Sequence, residues 1–143
     1  MIVPDINLLI YACDASSPFH QKAAAWLEGV FNAQVPVIFV PPVVFGFVRI
    51  ATHPRVFSFP LAVPEAAAHV RSWLERKSVR MIDLLPEDVD SALALLEAAG
   101  TAGNLTTDAQ IAAVALRLDG VVHTADLDFG RFPGLRYVNP LVR

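Results

Sequence analysis

Short, continuous apolar segments alternate with segments of helical periodicity along the whole chain, and this alternation limits the fold more than any other feature. The apolar segments are MIVP, VPVIFV, VRMIDLL, VVHTADLDF, which leads into a polar turn, and LRYVNP. An unbroken apolar run is typical of a strand covered on both faces, and strands that alternate with helices favour a parallel sheet. The sequence therefore predicts an α/β domain.

The ends of the predicted helices are marked by capping residues and prolines. The segment SPFHQKAAAWLEGVFN predicts a helix, for which Ser17 and Pro18 supply an N-cap and a first turn. The segment NLTTDAQIAAVALRLDG predicts a helix so apolar that it must be largely buried. Its N-cap candidates are Thr106 and Thr107.

Size and charge exclude several classes of protein. With 143 residues the chain is long enough for one domain, 1–143, and too short for two. A net charge of -3 argues against a surface coated in positive charge for bulk binding of nucleic acid. Cys13 is the one cysteine, which excludes an intrachain disulfide and a cysteine-rich zinc site.

No targeting or membrane segment is apparent. The chain reaches Asp5 without the basic segment of a signal peptide. The uncharged stretch 29–48 has about the length of a membrane span, but it contains prolines and polar residues that such a span disfavours. We therefore expect a soluble, cytoplasmic domain.

Four acidic residues lie where a parallel sheet binds its ligands, beyond the carboxyl ends of the strands. Asp5 follows the first strand, and Asp126 and Asp128 follow VVHT. Asp108 lies in the first turn of the most apolar helix, aligned with the face of Ile111, so its carboxylate points toward the sheet.

Each of these acids also has a structural explanation, since carboxylates cap helices and turns and complement the helix macrodipole. Their convergence at one edge nevertheless favours a site. Buried like charges need a cation or raised pKa values to coexist, and an all-oxygen cluster suits Mg²⁺ or Mn²⁺. Such an ion activates water and stabilises the oxyanions of phosphodiester cleavage.

The histidines do not suggest another chemistry. His20, His53, His69 and His123 are scattered, lack the spacing of metal ligands and have no paired nucleophilic Ser or Cys. We expect them to be surface or capping residues, although His123 lies near the acids.

Three blocks, VPDINLLIYA, NLTTDAQIAAVA and HTADLDFGRFPGL, resemble PIN-domain ribonucleases, specifically the VapC-type toxins of toxin–antitoxin pairs. The resemblance runs from Ile2 to about Pro140. It implies a three-layer α/β/α fold with a mainly parallel sheet of four or five strands. It also implies an endoribonuclease that depends on Mg²⁺, with Mn²⁺ as the alternative, and that cleaves RNA such as tRNA, rRNA or mRNA. The implied partners are a second copy of the chain and a VapB-like antitoxin that inserts a helix or tail near the site.

Carried over by position, the resemblance assigns roles to the acids and their neighbours. It implies metal binding by Asp5, Asp108 and Asp126, with Asp128 completing the catalytic acids. It implies supporting roles for Asn7 and Thr124.

One position departs from the pattern. Where the family usually has a Glu a few residues before an Arg, this chain reads GFVR, with Gly46 in the position of the Glu and Arg49 retained. A glycine in a helix interior costs about 0.5–1 kcal/mol relative to alanine, so Gly46 is expected to serve close approach by another element. The departure leaves open the alternative of a catalytically silent PIN domain that only binds an antitoxin or RNA.

Positive charge near the acids is expected to contact an RNA backbone. The candidates are Arg49, Arg55 and Arg131, and Arg49 has the alternative of a salt bridge to an acid of the site.

Overall fold

The computed structural model describes residues 1–142. Within them, five strands form one sheet in the order β3-β2-β1-β4-β5, and every neighbouring pair is parallel. Each strand is three residues long: β1 (Ile2–Pro4), β2 (Val37–Phe39), β3 (Val79–Met81), β4 (Val121–His123) and β5 (Arg136–Val138). The predicted parallel α/β sheet is confirmed.

Helices connect the strands and flank the sheet. The six α-helices within residues 1–142 are α1 (Ile6–Cys13), α2 (His20–Asn32), α3 (Pro41–Ala51), α4 (Val63–Leu74), α5 (Pro86–Ala99) and α6 (Leu105–Leu118), and a 3₁₀ helix spans Leu127–Arg131. In this described part of the chain, no helix is both long and apolar enough to cross a bilayer.

The core lies between the central strands and the helices. Val3 of β1, Val37 and Phe39 of β2 and Val122 of β4 are fully buried, as expected for strands covered on both faces. In helix α6, every residue from Ile111 to Ala115 is buried. This confirms the burial predicted from the composition of the helix.

The strand order places a crevice at the carboxyl end of β1. The chain leaves β1 toward β2 on one side of the sheet, whereas β4 pairs with β1 on the other side. Parallel sheets bind ligands at such a switch of direction, outside the carboxyl ends of the strands. Asp5 directly follows β1, and Asp126 follows β4 by three residues.

The predicted start of α2 at Ser17 and Pro18 is wrong, since the helix begins at His20. The Ser17 Oγ accepts a hydrogen bond from the N–H of Phe19 at 3.1 Å. The Ser17 carbonyl accepts a hydrogen bond from the N–H of His20 at 3.1 Å. Ser17 therefore closes a separate turn before the helix. The serine hydroxyl can accept a hydrogen bond in such a turn as well as at a helix N-cap.

The predicted N-caps of α6, Thr106 and Thr107, are also wrong. The N–H of Leu105 donates to the carbonyl of Ala102 at 2.8 Å, and the N–H of Thr106 donates to the carbonyl of Gly103 at 3.1 Å. The backbone therefore enters the helix before the threonines, and both lie within its first turn.

Candidate active site

Asp5 is buried at the point where β1 becomes α1. It is the N-cap of α1, where its Oδ1 atom accepts a hydrogen bond from the N–H of Ile6 at 2.7 Å. Its Oδ2 atom accepts a hydrogen bond from the Oγ1 of Thr124 at 2.7 Å. Only 5% of Asp5 is exposed, and this burial raises the pKa of its carboxyl group, although both hydrogen bonds oppose the rise.

Thr124 joins two of the predicted acids. Its hydroxyl donates to Asp5 and accepts a hydrogen bond from the N–H of Asp126 at 2.9 Å. The Oδ1 of Asp126 in turn accepts a hydrogen bond from the N–H of Asp128 at 2.9 Å and so caps the 3₁₀ helix. One threonine, almost fully buried, thus links the acid that follows β1 to an acid that follows β4.

Asp108 completes the group from the facing helix. It lies in the first turn of α6, whose inward residues are fully buried. Burial is the main reason that the pKa of Asp108 rises to about 7, and the charges of Asp5, Asp126 and Asp128 add to the rise. The other three acids thus lie close enough to Asp108 for their charges to raise its pKa.

A pocket of about 360 Å³ opens above these acids. Asp5, Asp108 and Asp126 line it, together with the following side chains: Ile6, Asn7, Ile10, Tyr11, Arg49, Ile50, Asn104 and Thr107. Asp128 is exposed and lies outside this lining, so it stands at the rim of the site.

The carboxylate oxygen atoms that line this pocket are chemically suited to bind a divalent cation. Hard cations prefer carboxylate oxygen, and Mg²⁺ keeps several waters while it binds one or two carboxylates. Within residues 1–142, no group of three or more His, Cys, Asp or Glu side chains is arranged so that it could hold a metal ion. The carboxylates thus match a hard cation in their chemistry, although the described residues form no cage of protein ligands.

Two further predicted site residues, Asn7 and Arg49, also line the pocket. Asn7 lines the pocket, and its Oδ1 accepts a long hydrogen bond, 3.5 Å, from the N–H of Ala125 in the turn after β4. Arg49 is exposed at the pocket wall. Within the described part of the chain, Arg49 forms no salt bridge to an acid of the site.

The other two candidate arginines lie outside the pocket lining. Arg55 is exposed after α3. Arg131 is exposed, and its guanidinium donates to the carbonyl of Ala99 at the end of α5, at 3.1 Å. Of the three arginines predicted to contact phosphate, only Arg49 therefore lines the same pocket as the acids.

Gly46 is buried on the face of α3 that packs against α1. A Cβ atom built there would overlap the Cδ1 methyl of Ile6 and lie 3.2 Å from its Cγ1 atom. The expected close approach of another element is thus confirmed, and that element is the first turn of α1.

His123 is not the surface or capping residue that the sequence suggested. Its Nδ1 accepts a hydrogen bond from the indole Nε1 of Trp26 at 3.0 Å, and its backbone carbonyl accepts the N–H of Asp5 at 2.9 Å. Burial lowers the pKa of His123 to about 4, so the ring is neutral near pH 7. Trp26 and His123 are 97 positions apart in the sequence, so no local pattern indicates this contact.

Sequence reasoning also missed the apolar part of the pocket wall. Ile10 and Tyr11 follow Asn7 by three and four residues on α1 and line the same pocket. Helical spacing counted from Asn7 would have indicated them, because residues three and four apart share a helix face.

Comparison with known proteins gives consistent matches over the chain. The sequence profile of the PIN domain matches residues 2–135. Ribonuclease VapC33 of Mycobacterium tuberculosis is 43% identical over 141 residues, which cover 99% of this chain and 99% of the relative. Ribonuclease VapC37 of the same organism is 33% identical over 140 residues, with 98% and 97% covered.

Solved structures share the fold at lower identity. The structure of VapBC2 from Rickettsia felis, bound to a DNA fragment from their promoter, matches with a TM-score of 0.71 and 20% identity over 97% of this chain and 98% of that one. VapC20 of Mycobacterium tuberculosis, described as a sarcin–ricin loop cleaving toxin, matches with a TM-score of 0.71 and 18% identity, with 95% and 99% covered.

Proposed function

The chain belongs to the PIN-domain family, and we propose that it is a metal-dependent endoribonuclease that acts as the toxin of a toxin–antitoxin pair. The observation that carries this proposal is the hydrogen-bonded series Asp5–Thr124–Asp126, which faces the same pocket as Asp108. RNA as the substrate is supported by the relatives that are named ribonucleases.

Asp5, Asp108 and Asp126 would hold the divalent cation, Mg²⁺ in the first place and Mn²⁺ as the alternative, partly through bound water, since within the described residues their side chains do not form a direct three-ligand group. When bound, such an ion lowers the pKa of a water molecule and stabilises the charge that develops on the phosphate. Thr124 joins the carboxylate of Asp5 to the backbone N–H of Asp126, and the backbone N–H of Asp128 orients the Asp126 carboxylate. The carboxylate of Asp128 adds negative charge at the rim.

Arg49 is the residue best placed to hold the phosphate of an RNA strand, since it is exposed and lines the same pocket as the acids. Arg55 and Arg131 would contact phosphates further along the strand. Contacts of this kind position a substrate without reading its sequence, and they weaken as salt concentration rises.

The proposed protein partner is a VapB-like antitoxin that inserts a helix or tail near the site. The toxin itself is proposed to be a homodimer. Several structures of the same fold are described as toxin–antitoxin complexes, including one from Klebsiella pneumoniae. An RNA substrate is consistent with action in the cytoplasm. A test is whether the product of an adjacent reading frame binds the purified chain and stops its cleavage of RNA.

The activity is tested by cleavage of end-labelled RNA with purified protein in Mg²⁺, in Mn²⁺ and in EDTA. Asp126→Asn keeps the shape of the side chain and should lower the rate by about 100-fold or more. Asp128→Asn is the matched control at the rim and should lower it by less than about tenfold. Cleavage that continues in EDTA, or that is unaffected by Asp126→Asn, contradicts the proposal.

The same experiment decides the alternative that Gly46 left open. A protein that binds RNA or antitoxin but cleaves no RNA with either ion is a silent PIN domain. The three carboxylates that line the pocket favour the active enzyme.

A further inference from the structure

An aromatic pair lies at the edge of the acid-lined pocket. Tyr11 of α1 lines this pocket together with Asp5 and Asp108. The ring of Tyr11 lies beside the ring of Phe19, with the two ring centroids 5.0 Å apart and the ring planes tilted by 45°. Phe19 is 46% exposed. The wall of the pocket therefore continues outward from Tyr11 as aromatic surface that solvent reaches.

Both rings are held by the structure around them. Tyr11 packs against a small buried cluster around Leu8, and its carbonyl accepts a hydrogen bond from the Nδ1 of His20 at 3.0 Å. Phe19 lies in the turn before α2, where its N–H donates to the Oγ of Ser17. A side chain that is already ordered loses little conformational freedom when a ligand binds to it. The pair is thus prepared for a ligand.

Packing accounts for Tyr11 but not for the exposed ring of Phe19. Among the described residues, Phe19 belongs to neither of the two hydrophobic clusters of the protein. A single exposed apolar side chain is common and has no meaning by itself. The position of this ring matters because, through Tyr11, it is continuous with the pocket that holds the acids and Arg49.

The size and charge of the pocket indicate which ligand meets the aromatic pair. Its volume of about 360 Å³ is close to the lower limit for small-ligand sites, which suits about one nucleotide. A phosphate between the acids and Arg49 is joined to its base by a single ribose, so the base reaches the wall that Tyr11 forms. Unpaired RNA bases stack on tyrosine and phenylalanine rings, because every base has a π-face.

We propose that Tyr11 and Phe19 form a stacking site for an unpaired RNA base next to the phosphate that is held at the acids. The site selects single strands and loops, whose bases can turn outward, over paired duplexes. It does not require a particular base, because stacking tolerates all four. This inference rests on the proposed function, which brings RNA to the pocket.

The test compares two labelled oligomers of equal length and equal backbone charge, oligoadenylate and a chain of abasic ribose phosphates. Binding to purified protein is measured by fluorescence anisotropy at low salt in Ca²⁺, a hard cation that carboxylates bind. The wild type should bind oligoadenylate about tenfold more tightly than the abasic oligomer, since only oligoadenylate can stack.

Three variants locate this preference. Tyr11→Leu and Phe19→Ala should each weaken the binding of oligoadenylate by about fivefold or more and change the binding of the abasic oligomer by less than about twofold. Tyr11→Phe keeps the ring and should stay within about twofold of the wild type. The matched control is Leu93→Ala, an exposed apolar position on α5 outside the pocket lining, which should bind both oligomers like the wild type.

Salt dependence separates stacking from a loss of phosphate contacts. Tyr11→Leu and Phe19→Ala should keep the log–log salt slope of the wild type, because stacking releases no counterions from the RNA. A reduced slope in these variants, or equal weakening of both oligomers, overturns the proposal. If Tyr11→Leu fails to fold, Phe19→Ala decides alone, since it replaces an exposed ring.

Two further outcomes overturn the proposal. One is a wild type that does not prefer oligoadenylate to the abasic oligomer. The other is oligoadenylate binding that Tyr11→Leu and Phe19→Ala leave unchanged while they lose the antitoxin, which assigns the pair to a protein interface. RNA cleavage in Mg²⁺ is measured separately: a wild type that cleaves without preferring bases keeps the proposed function and loses the stacking site. A wild type that prefers bases through both rings but never cleaves keeps the stacking site and loses the proposed function.

Discussion

Replacing Thr124 by valine removes a hydroxyl group that two acids share while keeping the shape of the side chain. In the wild type this hydroxyl donates to the buried Oδ2 of Asp5 at 2.7 Å and accepts the N–H of Asp126 at 2.9 Å. A hydrogen bond to a charged group contributes about 1.5–3 kcal/mol, and the N–H of Asp126 also loses its acceptor. We therefore expect Thr124→Val to lower the free energy of unfolding by about 2–3 kcal/mol at pH 8.

The cost of Thr124→Val should depend on pH, because it acts through an ionised carboxylate. The pKa of Asp5 is already raised in the folded protein, and loss of the Thr124 donor raises it further. A group whose folded pKa is raised contributes stability at low pH that is lost as the pH rises through that pKa. The variant should therefore be destabilised more at pH 8 than at pH 5, where more of Asp5 is protonated.

Urea denaturation in EDTA at the two pH values measures both effects, with Thr101→Val as the control. Thr101 is exposed, so its replacement should change stability by no more than about 0.5 kcal/mol. An equal cost of Thr124→Val at pH 5 and pH 8, or a cost no larger than that of Thr101→Val, would refute the reasoning.

Three further changes test other parts of the structure. Asp88→Asn should lower the free energy of unfolding by about 2 kcal/mol in urea without affecting cleavage, because buried Asp88 pairs with the Nε of Arg117 at 2.8 Å and accepts the N–H of Leu85. An unchanged urea midpoint would contradict this. Asp108→Asn should raise the melting temperature of metal-free protein at pH 8 more than at pH 5, because the raised pKa of Asp108, about 7, makes its ionised form unfavourable above that pH. The opposite pH trend would exclude this explanation. Arg49→Ala should reduce the salt dependence of RNA binding by about 0.7 in the log–log slope, as for one lost phosphate contact to a single strand. An unchanged slope would show that Arg49 does not contact phosphate.

The overall architecture and the closeness of the acids to one another can be predicted from local sequence patterns and from the rule that parallel strands end at the same edge of the sheet. Continuous apolar runs alternating with helices predict a parallel sheet, and the carboxyl ends of parallel strands share one edge. Asp5, Asp108 and Asp126 can therefore be placed at one edge of the sheet from the sequence alone. Gly46 could be expected to receive a neighbour, because glycine is otherwise unfavourable inside a helix.

Contacts between distant segments could not be predicted in the same way. Thr124 and Asp5 are 119 residues apart, and their bond depends on the pairing of β1 with β4. Ile6 could not be named as the neighbour of Gly46, because that contact depends on how α1 crosses α3. The start of α2 was misplaced because Ser17 can close a turn or cap a helix with the same hydroxyl group.

The central claim is that Asp5 belongs to a metal-dependent site for RNA cleavage, and the rate of RNA cleavage by Asp5→Asn tests it most directly. Asp90→Asn, an exposed position on α5, is the matched control. With Mg²⁺ present, Asp5→Asn should remain folded and cleave RNA about 100-fold more slowly or not at all, while Asp90→Asn keeps the wild-type rate. A folded Asp5→Asn protein that cleaves RNA at the wild-type rate would contradict the account.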